Sequence, residues 1–276
     1  LSTLLETYAE VAGHDVVNQL RQLAGLLDGR RVVHLNSTRE GGGVAEILTK
    51  LVPLMKELGI DTTWEVITGD EDFYRCTKSF HNALQGSRID VPEKLLKVYE
   101  ETNRRTAEEL ADLLNDADVV FIHDPQPAPL LLHTPRRKGK WIWRCHIDLS
   151  RPHRTVWRYL RHFVEGYDAG IFSLSSFAQV LPHPQYVIPP SIDPLSDKNI
   201  HLDTSEIEAV YGMFGIDPKR PLAVQVSRFD VFKDPLGVVK AFKIAKKYVP
   251  GLQLVLAGGR ATDDPEGEAV RQQVEE

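Results

Sequence analysis

Short apolar runs alternate along this chain with longer stretches whose apolar residues recur every three or four positions. Residues 3 to 28 carry Leu4, Leu5, Tyr8 and Val11, then Leu20, Leu23, Leu26 and Leu27, at helical spacing. "RRVVHLN" predicts a first strand, and "VAEILTKLVPLMKELG" an amphipathic helix that stops at Gly59 and bends at Pro53. "IDTTWEVIT" predicts a second strand. Residues 70 to 90 are aromatic, polar and irregular, and read as a structured loop. "PEKLLKVYEETNRRTAEELADLLN" predicts one long polar helix with a single apolar stripe. The strands "ADVVFIHDPQP" and "KWIWRCHIDLS" come next, then a helix near 153–165 and the strand "DAGIFSLS".

Strands alternating with amphipathic helices imply βαβ units and a parallel sheet. Runs such as "VVFI" and "AGIF" have no polar alternation, as expected of strands covered on both faces. The expected fold class is therefore α/β. Prolines cluster in "VIPPSIDPLSDKN", residues 187 to 199, where the chain resists helix, and this segment reads as an interdomain linker. Residues 1–190 then form a first Rossmann-like domain with an extra N-terminal helix. Residues 191–276 hold the linker and the beginning of a second domain: helix 204–214, strand "PLAVQVS", helix 235–248, strand "LQLVLAGG" and the start of a helix in "EGEAVRQQVEE". Two parallel strands and their helices do not bury a core alone, so the second domain is expected to be truncated in this chain.

Composition narrows the function classes. The net charge of −6 has both signs interspersed, which leaves no broad basic face for nucleic acid. No apolar run reaches the ~20 residues of a membrane helix. Two cysteines, Cys76 and Cys145, in 276 residues imply a reducing compartment, so a cytoplasmic protein is expected. Neither CxxC nor HExxH occurs, and no metal is expected.

Candidate chemistry sits at strand ends. "HLNSTREGGGVAEIL", residues 34 to 48, is strand, glycine turn, helix, a plan that sets backbone N–H groups against an anion. Gly41, Gly42 and Gly43 are contiguous, so neither the G-x-G-x-x-G dinucleotide spacing nor a Walker loop is met. A plain turn needing positive φ and the close approach of a ligand both remain open. "HDPQP" puts Asp124 and Gln126 after a buried strand, where ligands of open parallel sheets bind. Asp124 there either meets sugar hydroxyls or caps the next helix. "RCHIDLS" places Arg144, His146 and Asp148 on one face if the strand persists, with Cys145 turned into the core. "QVSRFDVFKDP" carries Arg228 and Lys233 after a strand of the second domain, fixed positive charge of the kind a diphosphate leaving group needs. "TKSFHNALQG" adds Asn82 and Gln85.

Together, "GGGVAEIL", "TKSFHNALQG", "HDPQP", "WIWRCHIDLS", "PPSIDPLSDKN", "QVSRFDVFKDP" and "DDPEG" resemble the trehalose glycosyltransferring synthases, retaining glycosyltransferases of the GT-B fold, from about residue 30 onward. The resemblance implies two Rossmann-like domains, an NDP-glucose donor, and reversible transfer of glucose to free glucose to give trehalose. NDP-glucose is a substrate and no cofactor is implied. It assigns His146, Asp148 and Asp124 to the catalytic side, where they line the acceptor. Arg228, Lys233, Gly42 and Gly43 become donor diphosphate ligands, and Asn82, Gln85, Gln126 and Arg144 sugar ligands. Many members have Gly after the motif lysine, whereas Asp234 stands here, which is expected to soften the local positive field. The family's later acidic motif is not among the 276 residues, so this chain alone is expected to be inactive. Trehalose phosphorylase, a dinucleotide-dependent oxidoreductase and a non-catalytic sugar-binding module are the alternatives, and a homodimer is a further expectation.

Overall fold

A computed structural model describes residues 3–258 and 267–276. It divides into two compact units, the first ending at Asp193 and the second beginning at Pro194.

The first unit opens with helices α1 (Leu4–Ala12) and α2 (His14–Gly25). The single helix expected over residues 3 to 28 is broken because Gly13 takes φ 93°, outside the helical region. Thr3 and Glu6 close a capping box at the start of α1. The elements then run β1 (Arg31–Asn36), α3 (Gly43–Glu57), β2 (Asp61–Val66), α4 (Glu71–Leu84), α5 (Glu93–Glu109), α6 (Ala111–Asp116), β3 (Val119–His123), β4 (Lys140–Cys145), α7 (Arg154–Val164), β5 (Ala169–Phe172) and β6 (Gln185–Val187). Helix α3 continues through Pro53 without a break.

Three further sequence expectations need correction. The "irregular" segment 70–90 contains helix α4, started by Asp70, whose side chain accepts from the Phe73 N–H. Its helical face buries Phe73, Cys76, Phe80, Ala83 and Leu84, but Thr77, Lys78 and Asn82 are buried as well, and this blurs the apolar period. The long polar helix is two, because α5 ends at Leu110 before α6 begins. Strand β6 is short and largely exposed, and it lies where the sequence reads as the edge of a linker.

The sheet is wholly parallel, in the order β2-β1-β3-β4-β5-β6. From β1 the chain steps outward to β2, returns to pair β3 on the other side of β1, and continues outward. Strands β1 and β3 therefore flank a topological switch point, where loops leave the carboxyl ends in opposite directions and open a crevice. Beneath it, Trp141, Trp143, Tyr99, Phe73, Phe80 and Phe172 fill the main core with almost no solvent exposure. At its far end the unit is pinned: Asp193 accepts from the Tyr8 hydroxyl at 2.8 Å and pairs with Lys50 at 3.3 Å. Burial, and then that carboxylate, push the Tyr8 hydroxyl up to about 12.

The second unit contains α8 (Thr204–Phe214), β7 (Leu222–Val226), α9 (Pro235–Ala245), β8 (Gln253–Ala257) and α10 (Gly267–Glu275). Strands β7 and β8 pair in parallel. The sequence motif "DDPEG", apart from Gly267, lies outside the described residues. Among the described residues no helix is long and apolar enough to cross a membrane.

Candidate active site

The residues singled out in the first unit gather at the carboxyl ends of β1, β3 and β4. After β1, Asn36 donates to the Thr38 carbonyl at 2.7 Å and accepts from the Trp64 indole at 2.8 Å, which fixes the exit of the strand. Thr38 closes the turn with its hydroxyl to the Glu40 carbonyl at 2.7 Å. Arg39 stacks over Trp64 at 4.4 Å and hydrogen-bonds its carbonyl. Of the three glycines, only Gly41 sits at positive φ, 80°. Gly42 is extended, φ −141°, and is the N-cap of α3 with no side chain to satisfy the helix N–H groups. A Cβ on Gly42 would meet only Thr38 Cγ2 at 3.9 Å, and one on Gly43 would meet nothing within 4 Å. The turn thus explains Gly41. Nothing in the described protein explains why 42 and 43 are also bare, at a helix N-terminus where N–H groups face outward.

After β3, Asp124 takes φ 62°, a left-handed conformation that Asp tolerates better than most residues. This turns its carboxylate onto the neighbouring strand, where Oδ1 accepts from the His146 main-chain N–H at 2.7 Å. The Asp124 carbonyl accepts from the Trp143 indole at 3.0 Å. The rest of the loop is clamped from below. Tyr99 donates to the Pro125 carbonyl at 2.6 Å, Asn103 to the Gln126 carbonyl at 3.0 Å, and Tyr167 to the Ala128 carbonyl at 2.8 Å. These three clamps are fully buried or nearly so. The sequence reading missed them, since on α5 Tyr99 and Asn103 look like ordinary stripe residues and Tyr167 sits in the turn before β5.

After β4 the ladder ends at Cys145, so the strand does not persist to Asp148. The alternation does: Cys145, Ile147 and Leu149 stay buried, while Arg144, His146 and Asp148 remain half-buried on the other side. Cys145 belongs to the core. Arg144 donates to the Ile188 carbonyl at 3.4 Å, and burial lowers its pKa, with Asp124 opposing the shift. Asp148 is spent locally on the Ser150 N–H at 2.7 Å. Asp124 and His146, by contrast, are bonded to each other across two strand ends.

Asn82 and Gln85 lie at the C-terminal end of α4, which docks beside the loop after β4: the His153 N–H donates to the Ala83 carbonyl at 2.8 Å. Asn82 is buried. The Gln85 Nε2 and the Gln126 Oε1 are buried and have no hydrogen-bond partner within the described protein. A buried amide left unpaired is costly, and a bound hydroxyl-rich molecule would satisfy it.

In the second unit, Arg228 follows β7 and Lys233 ends a short 3-10 turn, Val231–Lys233. Asp230 organises both. It is 3% exposed, accepts from the Phe232 N–H at 2.8 Å and lies 3.9 Å from the Arg228 guanidinium. Its carbonyl accepts from the Lys233 N–H at 3.0 Å. Asp234 takes φ 48° and caps α9 by accepting from the Gly237 N–H at 3.0 Å. That carboxylate caps a helix N-terminus beside Lys233. Among the described residues no three His, Cys, Asp or Glu side chains are grouped to hold a metal ion.

The chain superimposes on the α,α-trehalose-phosphate synthase (UDP-forming) of Burkholderia xenovorans, solved in complex with glucose-6-phosphate, with a TM-score of 0.68 at 16% identity, over 90% of this chain and 70% of that one. The fold class is accordingly that of the GT-B glycosyltransferases. Residues 34–179 match the family described as trehalose synthase, N-terminal domain. The chain is 47% identical to trehalose synthase from Thermococcus litoralis and 44% identical to that from Rubrobacter xylanophilus, in both cases over 95% of its own length. It belongs to the trehalose synthase family. It spans 64% of the length of these relatives.

Proposed function

We propose that the protein carrying this chain transfers glucose, with retention, from an NDP-glucose to free glucose and so forms trehalose. The observation that carries the reading is the cluster at the switch point. Bare Gly42 and Gly43 open α3, and Asp124 is locked to His146 at the next two strand ends. This pairing of an anion-receptive helix start with hydroxyl-binding polar groups suits a glycosyl diphosphate meeting a sugar. Retaining transfer without an enzyme nucleophile proceeds by front-face attack, the leaving diphosphate taking the acceptor proton. The protein then contributes orientation and fixed charge. In this reading Asp124 and His146 hold the acceptor. Gln85 and Gln126 bind sugar hydroxyls with their unpaired amide atoms, and Arg228 and Lys233 balance the diphosphate.

The test is an assay of the full-length protein with UDP-, ADP- and GDP-glucose plus glucose, run beside trehalose plus inorganic phosphate. Trehalose and a nucleoside diphosphate from any of the first three mixtures support the reading. Glucose 1-phosphate from the last mixture alone would replace it with a phosphorylase.

A further inference from the structure

Three imidazoles climb the first sheet in a single line. His34 on β1 is paired in register with Phe121, two residues before His123, and His123 is paired with Arg144, two residues before His146. A step of two residues returns to the same face of a sheet, so the three rings share one side and rise toward the carboxyl edge. His34 Nδ1 lies 3.1 Å from His123 Nε2, and His123 Nδ1 lies 3.0 Å from His146 Nε2. The rings are close to coplanar, with interplanar angles of 28° and 20°, as in-plane N···N hydrogen bonds require. Below them His34 lies flat on Phe121, 4.8 Å between centroids. Its Nε2 is buried and has no hydrogen-bond partner among the described residues. At the upper end, the ring nitrogen of His146 not used in the line is Nδ1, beside the main-chain N–H held by Asp124.

Each nitrogen pair needs one N–H and one lone pair. Burial holds all three rings below the ordinary histidine range, with Arg144 adding to it, so they are neutral at pH 7. A neutral middle ring has one donor and one acceptor, so both contacts run in the same direction. Two patterns remain. One leaves a lone pair at the buried His34 Nε2, and the other leaves an N–H there. An orphaned buried N–H is the rarer defect, so the first pattern is favoured. It carries hydrogen on Nδ1 of every ring, including His146. The dead end at His34 Nε2 also argues against proton conduction, since nothing beyond it receives a proton.

We infer that His34 and His123 are positioning residues: their line locks His146 in the Nδ1–H tautomer, so that His146 meets a sugar hydroxyl as a donor. The sugar in this statement rests on the proposed function, whereas the tautomer does not. Which nitrogen of a histidine carries its proton is set by the bond the other nitrogen makes.

The tautomer can be read in long-range nitrogen–proton spectra of the chain labelled with 15N-histidine. A single His146 form, protonated at Nδ1, is expected. His34→Phe keeps the stack on Phe121 but removes the donor to His123, and should turn His146 into a mixture. His34→Asn, whose amide N–H reaches the same neighbour, should restore the single form. In the full-length protein, His34→Phe should raise KM for glucose about tenfold with a smaller change in kcat. Hydrogen on Nε2 of His146 in the wild type, or a His146 spectrum indifferent to both variants, would overturn the inference. If His34→Phe fails to fold, the wild-type spectrum and His34→Asn still decide it. A locked Nδ1–H tautomer in a protein that transfers no glucose would overturn the functional reading and leave the line intact.

Discussion

Asp124 and His146 are joined across two neighbouring strand ends, carboxylate Oδ1 to main-chain N–H at 2.7 Å, and the bond exists because Asp124 takes a left-handed φ of 62°. Two consequences can be separated by substitution. Asp124→Gly accepts the backbone angle but loses the charge-assisted bond, whereas Asp124→Ala loses the bond and strains the backbone. Asp124→Ala should cost about 3 kcal/mol of stability, and Asp124→Gly about 1 kcal/mol less. Urea titration followed by tryptophan fluorescence measures this cleanly, since all four tryptophans lie in the first unit. Equal losses for the two variants would show that the φ angle carries no cost.

The glycine loop makes an opposite demand. Gly42→Ala and Gly43→Ala place a methyl group in open space, so both variants should unfold within about 0.5 kcal/mol of the wild type. If a donor phosphate approaches that backbone, the same methyl groups should lower kcat/KM of the full-length protein at least tenfold. Gly41→Ala should behave in reverse, losing about 1 kcal/mol of stability because its φ is 80°. Unaltered turnover in Gly42→Ala and Gly43→Ala would return the triplet to the status of a plain turn.

Much of this was legible in the chain. The continuous apolar strands and their Gly- and Pro-marked exits are local signals, and they specified the parallel sheet and put Gly42, Asp124 and His146 at strand ends. Helix α4 was hidden because buried Thr77, Lys78 and Asn82 interrupt its apolar stripe. His34 and His123 were hidden for a different reason. A histidine inside a β-strand reads as a filler residue, and its meaning here depends on the register of three strands that are far apart in sequence. Likewise Tyr99 and Asn103 sit on an unremarkable stripe, and only packing shows that they hold the Asp124 loop.

The buried imidazoles should make the first unit sensitive to mild acid. Burial lowers the His34 pKa to about 4 and that of His146 to about 3, against about 6.5 in an unfolded chain. Below pH 6.5 the unfolded chain binds protons that the folded rings refuse, so stability falls as pH falls. The loss approaches about 1.4 kcal/mol per pH unit per ring until the folded values are reached. The depressed carboxylates Asp72, Asp116, Asp118 and Asp168 act in a lower window, near and below pH 4. Urea midpoints between pH 7 and pH 4.5 should therefore decline steeply in the wild type and less steeply in His34→Phe. Parallel lines for the two proteins would mean that His34 takes up its proton without unfolding.

The second unit offers a test of how the two cations are held. Lys233 is exposed and its side chain packs no core, so Lys233→Ala should leave the fold unchanged. If it balances a diphosphate, the same change in the full-length protein should lower kcat by roughly a hundredfold or more. Asp230 is the informative neighbour, because it is buried against the Phe232 N–H and faces the Arg228 guanidinium. Asp230→Asn keeps an acceptor for Phe232 but gives up the charge facing Arg228. It should preserve stability to within about 1 kcal/mol while weakening the hold on Arg228. The measurement is KM for the nucleotide sugar: a several-fold rise in Asp230→Asn, with full kcat at saturation, is expected of a residue that orients a ligand without touching it. A fall in kcat as large as that of Lys233→Ala would instead place Asp230 itself among the groups that meet the substrate.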